Sequence, residues 1–99
     1  MLIPARGFEE LFNVSVPNVF TPNSDGINDF FEFEVMQTLV DCIDVKVYNR
    51  WGMPIFESSG VSHSWDGRTF AGEPATEGVY YYVIDVRGTK YKGSVTLSR

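Results

Sequence analysis

The chain offers few groups for covalent chemistry. His63 is its one histidine and Cys42 its one thiol. Nucleophilic triads and zinc sites need several such side chains converging on one point, and one of each falls short. The sequence has no phosphate-cradling glycine loop and no dinucleotide fingerprint. Its carboxylates are scattered through alternating segments and loops, where solvation is their ordinary role. Cys42 precedes an alternating segment and is expected to pack inside. No enzymatic activity is expected.

Three polar clusters stand out instead. Thr21-Pro22-Asn23-Ser24-Asp25-Gly26-Ile27-Asn28-Asp29 is the densest. Set against the EF-hand loop, Asn23, Asp25 and Gly26 fall at positions 3, 5 and 6, Asp29 at 9 and Glu32 at 12. Position 1 is Thr21, and the residues after the loop have strand periodicity where an EF-hand needs a helix. Two readings remain. One is a looser calcium cage from Asn23, Asp25 and Asp29 with backbone carbonyls. The other, which is the expectation, is a tight loop whose Asn and Asp side chains satisfy its own backbone.

The second cluster, Ser64-Trp65-Asp66-Gly67-Arg68, reads as a ring plugging one end of the core beside a turn. Its indole N–H would then find a nearby loop carbonyl. The alternative is an exposed aromatic for sugar or protein contact. The third, Asn49-Arg50-Trp51-Gly52, closes a turn with two side chains that lose much entropy when ordered. Arg50 stacked on a ring or paired with Asp66 or Asp85 would brace the structure. An exposed Arg50-Trp51 pair would be a binding hot spot, for which these residue types are enriched.

The elements that must hold these clusters belong to one domain. Ninety-nine residues leave room for a single core. Hydrophobic residues make up 43% and charged residues 21%, a globular balance rather than a disordered one. Eight Phe, five Tyr and two Trp predict a core filled by rings, with no internal disulfide to staple it. A net charge of −5 argues against nucleic-acid binding. No apolar run approaches the roughly 18–20 residues that cross a bilayer. Residues 1–7 lack the basic start and apolar stretch of a signal peptide, so if the parent protein is exported its signal lies upstream.

Residues 44–48, 31–35 and 92–97 alternate polar and apolar at period two. Strands are predicted near 14–20, 29–36, 42–49, 53–57, 78–87 and 90–98, with a short one at 63–65. Turn signals separate them at Asp25-Gly26, Trp51-Gly52, Asp66-Gly67 and Arg87-Gly88-Thr89. The expected fold is all-β, an immunoglobulin-like antiparallel sandwich of about seven strands over 14–99. Residues 1–13 read as a linker or lead-in, extended or forming one helical turn. The segment 66–77 reads as a long surface loop. Val47, Ile55, Phe56, Trp65, Tyr81, Val83 and Val95 are the predicted core. In 79–84, Tyr81 and Val83 are assigned inward and Tyr80, Tyr82 and Ile84 to the opposite face.

The motifs fall in a distinctive order. Val16-Pro17-Asn18-Val19-Phe20-Thr21-Pro22-Asn23-Ser24-Asp25-Gly26-Ile27-Asn28-Asp29 comes first, then Val47-Tyr48-Asn49-Arg50-Trp51-Gly52, Ile55-Phe56-Glu57 and Trp65-Asp66-Gly67. Gly78-Val79-Tyr80-Tyr81-Tyr82-Val83 and Lys92-Gly93-Ser94-Val95-Thr96-Leu97-Ser98-Arg99 complete it. This set closely resembles the gliding motility-associated C-terminal domain, the type B sorting domain of the type IX secretion system in Bacteroidota. The match covers residues 14–99, with Ser24 where the family more often has Gly. The stretch from Trp65 to Tyr82 also resembles other bacterial immunoglobulin-like modules, such as the flagellar-hook cap domain.

The resemblance implies a C-terminal module of a large secreted or surface protein, such as an adhesin or polysaccharide-degrading enzyme. It implies a signal read by type IX machinery and a dedicated outer-membrane partner protein, after Sec transport to the periplasm. No cofactor is implied. The recognition surface is expected in loop 21–29, the 49–52 tip and the strand 92–99, with Asn49, Arg50, Trp51, Lys92 and Arg99 as contact candidates. The alternatives are a structural or adhesive immunoglobulin-like module and a calcium-stabilised carbohydrate-binding module.

Overall fold

The computed structural model of the chain describes residues 2–12, 15–22, 29–34, 43–60 and 62–98. In chain order it forms β1 (Ile3–Pro4), α1 (Ala5–Phe12), β2 (Val19–Phe20), β3 (Phe31–Glu34), β4 (Ile43–Tyr48), β5 (Pro54–Gly60), β6 (Ser62–Trp65), β7 (Gly78–Val86) and β8 (Thr89–Leu97). The larger sheet runs β1-β8-β7-β4-β5, with β2 also on β8, and β3 pairs with β6 as a second layer. This is the expected all-β sandwich. The long strands pair antiparallel. β1 and β2 instead run parallel to β8, along its far edge from β7.

Local chemistry explains the framework. Alternation in 43–48 gives a strict inward-outward pattern, with Ile43, Val45 and Val47 buried and Asp44 and Lys46 exposed. β7 and β8 are joined by Arg87-Gly88, both at positive φ (51° and 92°), the two-residue turn whose twist suits a hairpin. Asp85 Oδ1 accepts from the Gly88 amide at 2.8 Å and its other oxygen from Lys90 at 2.6 Å.

Rings fill the space between the layers. Trp65, fully buried, lies 5.2 Å from Phe20, 5.3 Å from Tyr80 and 6.1 Å from Phe56, centroid to centroid. Phe31 packs on Tyr82 at 5.1 Å. Such tilted and edge-on pairs add to the hydrophobic gain of burying the rings.

The period-two reading of 79–84 is right and its choice of face is inverted. Tyr80, Tyr82 and Ile84 are buried, whereas Tyr81 is 51% exposed and Val83 half-buried. Register supplies the reason. Tyr82 pairs with Val47, Ile84 with Val45 and Tyr80 with Val95, and directly paired residues share a face. Once Val47 and Val95 point inward, Tyr81 cannot. Phe56 is half-buried, while Val47, Ile55, Trp65 and Val95 are core residues as predicted.

The segment before residue 13 forms a short strand and an eight-residue helix rather than one turn or an extended lead-in. Helix-favouring Ala, Arg, Glu and Leu dominate 5–11. Ala5 and Phe8, three residues apart on one face, point inward, while Arg6, Glu10 and Leu11 face solvent. Loop 66–77 is folded back on itself: Arg68 bridges Pro74, Thr69 N–H donates to Glu73 O at 2.8 Å, and Ala75 N–H to Gly67 O at 2.8 Å.

Candidate recognition site

The tip between β4 and β5 is built by one side chain. Asn49 Oδ1 accepts from the Trp51 amide at 2.9 Å and the Met53 amide at 3.0 Å. The Asn49 amide donates to Met53 O, and the Gly52 amide to Asn49 O, each at 3.0 Å. Asn is suited to this because its short amide can cap a turn's own donors. The result is a closed turn that holds Trp51 74% exposed and Met53 62% exposed. The Arg50 guanidinium carbon lies 5.1 Å from the Trp51 ring centroid, within cation–π range. Among the described residues no carboxylate is paired with Arg50. A groove beside it is lined by Arg50, Thr76, Glu77, Gly78, Val79 and Tyr80.

Bracing and exposure, the two readings of Arg50-Trp51, thus coexist. The pair is stacked, but on itself, and it presents a flat ring and a guanidinium fork to solvent. Met53 and the 76–80 groove wall were missed in the sequence. Met53 could have been found, since it sits just past the turn where a side chain has little to pack against.

The other cluster is interior. Trp65 donates its indole N–H to Arg68 O at 2.8 Å, the loop carbonyl that a buried Trp needs. Arg68 is held outside by Gly72 O at 2.9 Å and Asp66 at 3.7 Å. His63, only 2% exposed, lies two residues earlier on the same face. Its Nε2 lies 3.0 Å from Gly60 O, which can only accept a hydrogen bond, so Nε2–H donates there and Nδ1, 3.0 Å from Ser58 Oγ, accepts from that hydroxyl. Burial holds its pKa below the usual imidazole value, against smaller raising effects from the Gly60 carbonyl and Asp44. Both nitrogens are thus engaged in the fold.

The remaining candidates disperse. Lys92 is exposed on β8, where it pairs with Val83, which in turn pairs with Lys46, so two lysines flank one strand. Further along this face Asp44 pairs with Asp85. Like charges there are relieved because Ser59 donates to Asp44 and Lys90 to Asp85, each at 2.6 Å. The Lys90 hydrogen bond and then the Gly88 amide hold the Asp85 carboxyl below its usual pKa. Asn23, Asp25, Cys42 and Arg99 lie outside the described residues, while Asp29 is within them and half-buried. Among the described residues no group of three or more His, Cys, Asp or Glu could hold a metal ion. No helix among them is long and apolar enough to cross a membrane.

The class the fold defines is a small all-β sandwich module that displays a stiff aromatic tip and keeps its histidine tied into the core. The chain belongs to the CHU_C type IX secretion signal domain family, whose model matches residues 14–97. Its function is that of a sorting signal, and it interacts with the type IX secretion system for export to the cell surface or medium. Among solved structures it is similar in fold to PorZ, an essential bacterial surface component of the type IX secretion system of Porphyromonas gingivalis. That likeness has a TM-score of 0.66 at 22% identity, over 92% of this chain and 12% of the PorZ chain. The chain therefore spans a small part of that protein's length. No curated protein matches the chain.

Proposed function

We propose that this domain sits at the C-terminal end of a larger cargo and is read as a folded shape by an outer-membrane partner of the secretion system. The cargo reaches that partner through the periplasm, behind a Sec leader of its own. The domain recognises and performs no catalysis. The family match carries the export role, and the preorganised 49–53 tip supports a contact there: fixing a Trp before binding removes part of the entropy cost of association. Arg50 offers a planar fork that can take a carboxylate bidentately. Asn49 acts by shaping the turn, and Lys92 and Arg99 are secondary contact candidates. This role requires no calcium or other cofactor.

The test is a Sec-exported reporter fused to residues 1–99. Reporter in the medium or on the cell surface is expected. Retention in the periplasm would instead make the domain a spacer or adhesive module. Arg50→Lys keeps the charge but loses the fork, and is expected to reduce export severalfold with an unchanged melting temperature. Normal export would remove Arg50 from the contact surface, and a lower melting temperature would make it a brace.

A further inference from the structure

β8 is the last long strand of the sheet, and without the N-terminal segment its outer edge would be open at Tyr91 and Lys92. β1 covers Tyr91 and Lys92, and β2 covers Thr96 and Leu97. Helix α1 packs on the strand as well. Phe8, fully buried, sets its ring 5.6 Å from Tyr91 and 5.8 Å from Phe33, so it touches both layers of the sandwich. Glu9 accepts the Val16 amide at 2.8 Å, tying the helix to the start of the family-matched region. Burial, with Glu9 adding to it, pushes the Tyr82 hydroxyl up to about 12.

Both partners are cut to fit. At Gly93 of β8 a Cβ would collide with the Tyr82 hydroxyl and meet Ala5 Cβ at 3.0 Å. At Gly7 of the helix it would meet Ile3 at 3.1 Å and Tyr91 at 3.6 Å. A segment merely leading into a domain needs no such clearance.

We propose that residues 3–12, outside the family-matched 14–97, are a clasp belonging to the export signal: they close the β8 edge at Tyr91 and Lys92 and plug the core with Phe8. The inference rests on the sorting-signal reading and enlarges the unit that the machinery receives. Unclasped, β8 presents unpaired amides and carbonyls, a template for strand addition by a second copy.

Two measurements on the full chain test this. In the first, a protease site is placed between Asn13 and Val14 and cut after folding. The N-terminal piece is expected to stay bound through gel filtration. Its release with no loss of melting temperature would overturn the clasp. In the second, Phe8→Ala and Leu11→Ala are compared in hydrogen exchange and in reporter export. Leu11 is 64% exposed and serves as the control. Phe8→Ala is expected to speed exchange of the β8 amides opposite Ile3 and Pro4 at least tenfold, and to reduce export severalfold, while Leu11→Ala does neither. Normal export by a Phe8→Ala chain with deprotected β8 amides would refute the proposal. If the unaltered chain exports nothing, the sorting reading fails, while exchange and cleavage still decide whether the clasp exists.

Discussion

The turn after β4 carries Arg50, Trp51 and Gly52, and the end of β6 with the turn that follows carries Trp65, Gly67 and Arg68. Similar residues end in opposite places: Trp65 is fully buried and Trp51 is 74% exposed. In the inner turn the Trp is the last residue of a strand facing the larger sheet, so its ring joins the core. The Arg68 backbone then turns back to satisfy the indole. In the outer turn the strand has already ended, Asn49 has taken up the amides, and the ring has only Arg50 to lie against. A Trp-Gly turn is thus a core plug or a display according to whether its Trp is still within the sheet.

Replacing each ring is the strongest way to break this contrast. Trp65→Ala is expected to cost about 3–5 kcal/mol, the range for emptying a buried aromatic site, which is a large part of a small domain's stability. Trp51→Ala should change stability by less than about 0.5 kcal/mol while reducing reporter export. Urea midpoints of the two variants measure the difference directly; equal losses would erase the distinction between the turns.

The glycines sharpen it. Gly67 and Gly52 both have positive φ, 84° and 79°, so alanine at either is expected to cost about 1–2 kcal/mol for the left-handed backbone. At Gly67 the new methyl would also meet Leu97 at 3.1 Å and Phe20 at 3.5 Å, whereas at Gly52 nothing lies within 4 Å. Gly67→Ala should therefore lower the unfolding midpoint further than Gly52→Ala.

His63 gives the interior a pH dependence that the tip lacks. Its folded pKa is depressed, so the unfolded chain binds the proton first. Stability should fall as pH drops below the unfolded imidazole value of about 6.5 towards the folded one. Thermal melts between neutral and mildly acidic pH should show this loss, and His63→Gln should flatten it in the region above carboxylate titration. The smallest effect is expected from calcium. Millimolar calcium should leave the melting temperature unchanged, because only a ligand of the native state raises it. A rise abolished by Asp25→Ala would make loop 23–29 a cage.

What could be read in the chain divides along physical lines. Strand positions were legible because alternation is a property of neighbours, as in 44–48 and 92–97. Turns were legible because Gly52, Gly67 and Arg87-Gly88 announce themselves chemically. The indole partner of Trp65 was foreseeable, since a buried N–H requires one and a loop came at once after it. The family was legible in the order of its motifs. The depth of Trp51, the facing of β7 and the docking of Phe8 were not.

Sequence by itself therefore determined that this is a ring-rich, all-β signal domain with a turn at Asn49-Arg50-Trp51-Gly52. Tertiary structure decided which side of each strand is the inside. Period two tells only that Tyr81 and Tyr82 point apart; the pairing of Tyr82 with Val47 and of Tyr80 with Val95, across long stretches of chain, tells which one is buried. The same holds for residues 3–12, whose partner Tyr91 lies at the other end of the sequence. Local sterics set the alternation, but burial is a free energy shared among distant residues, and only the assembled sheet assigns it.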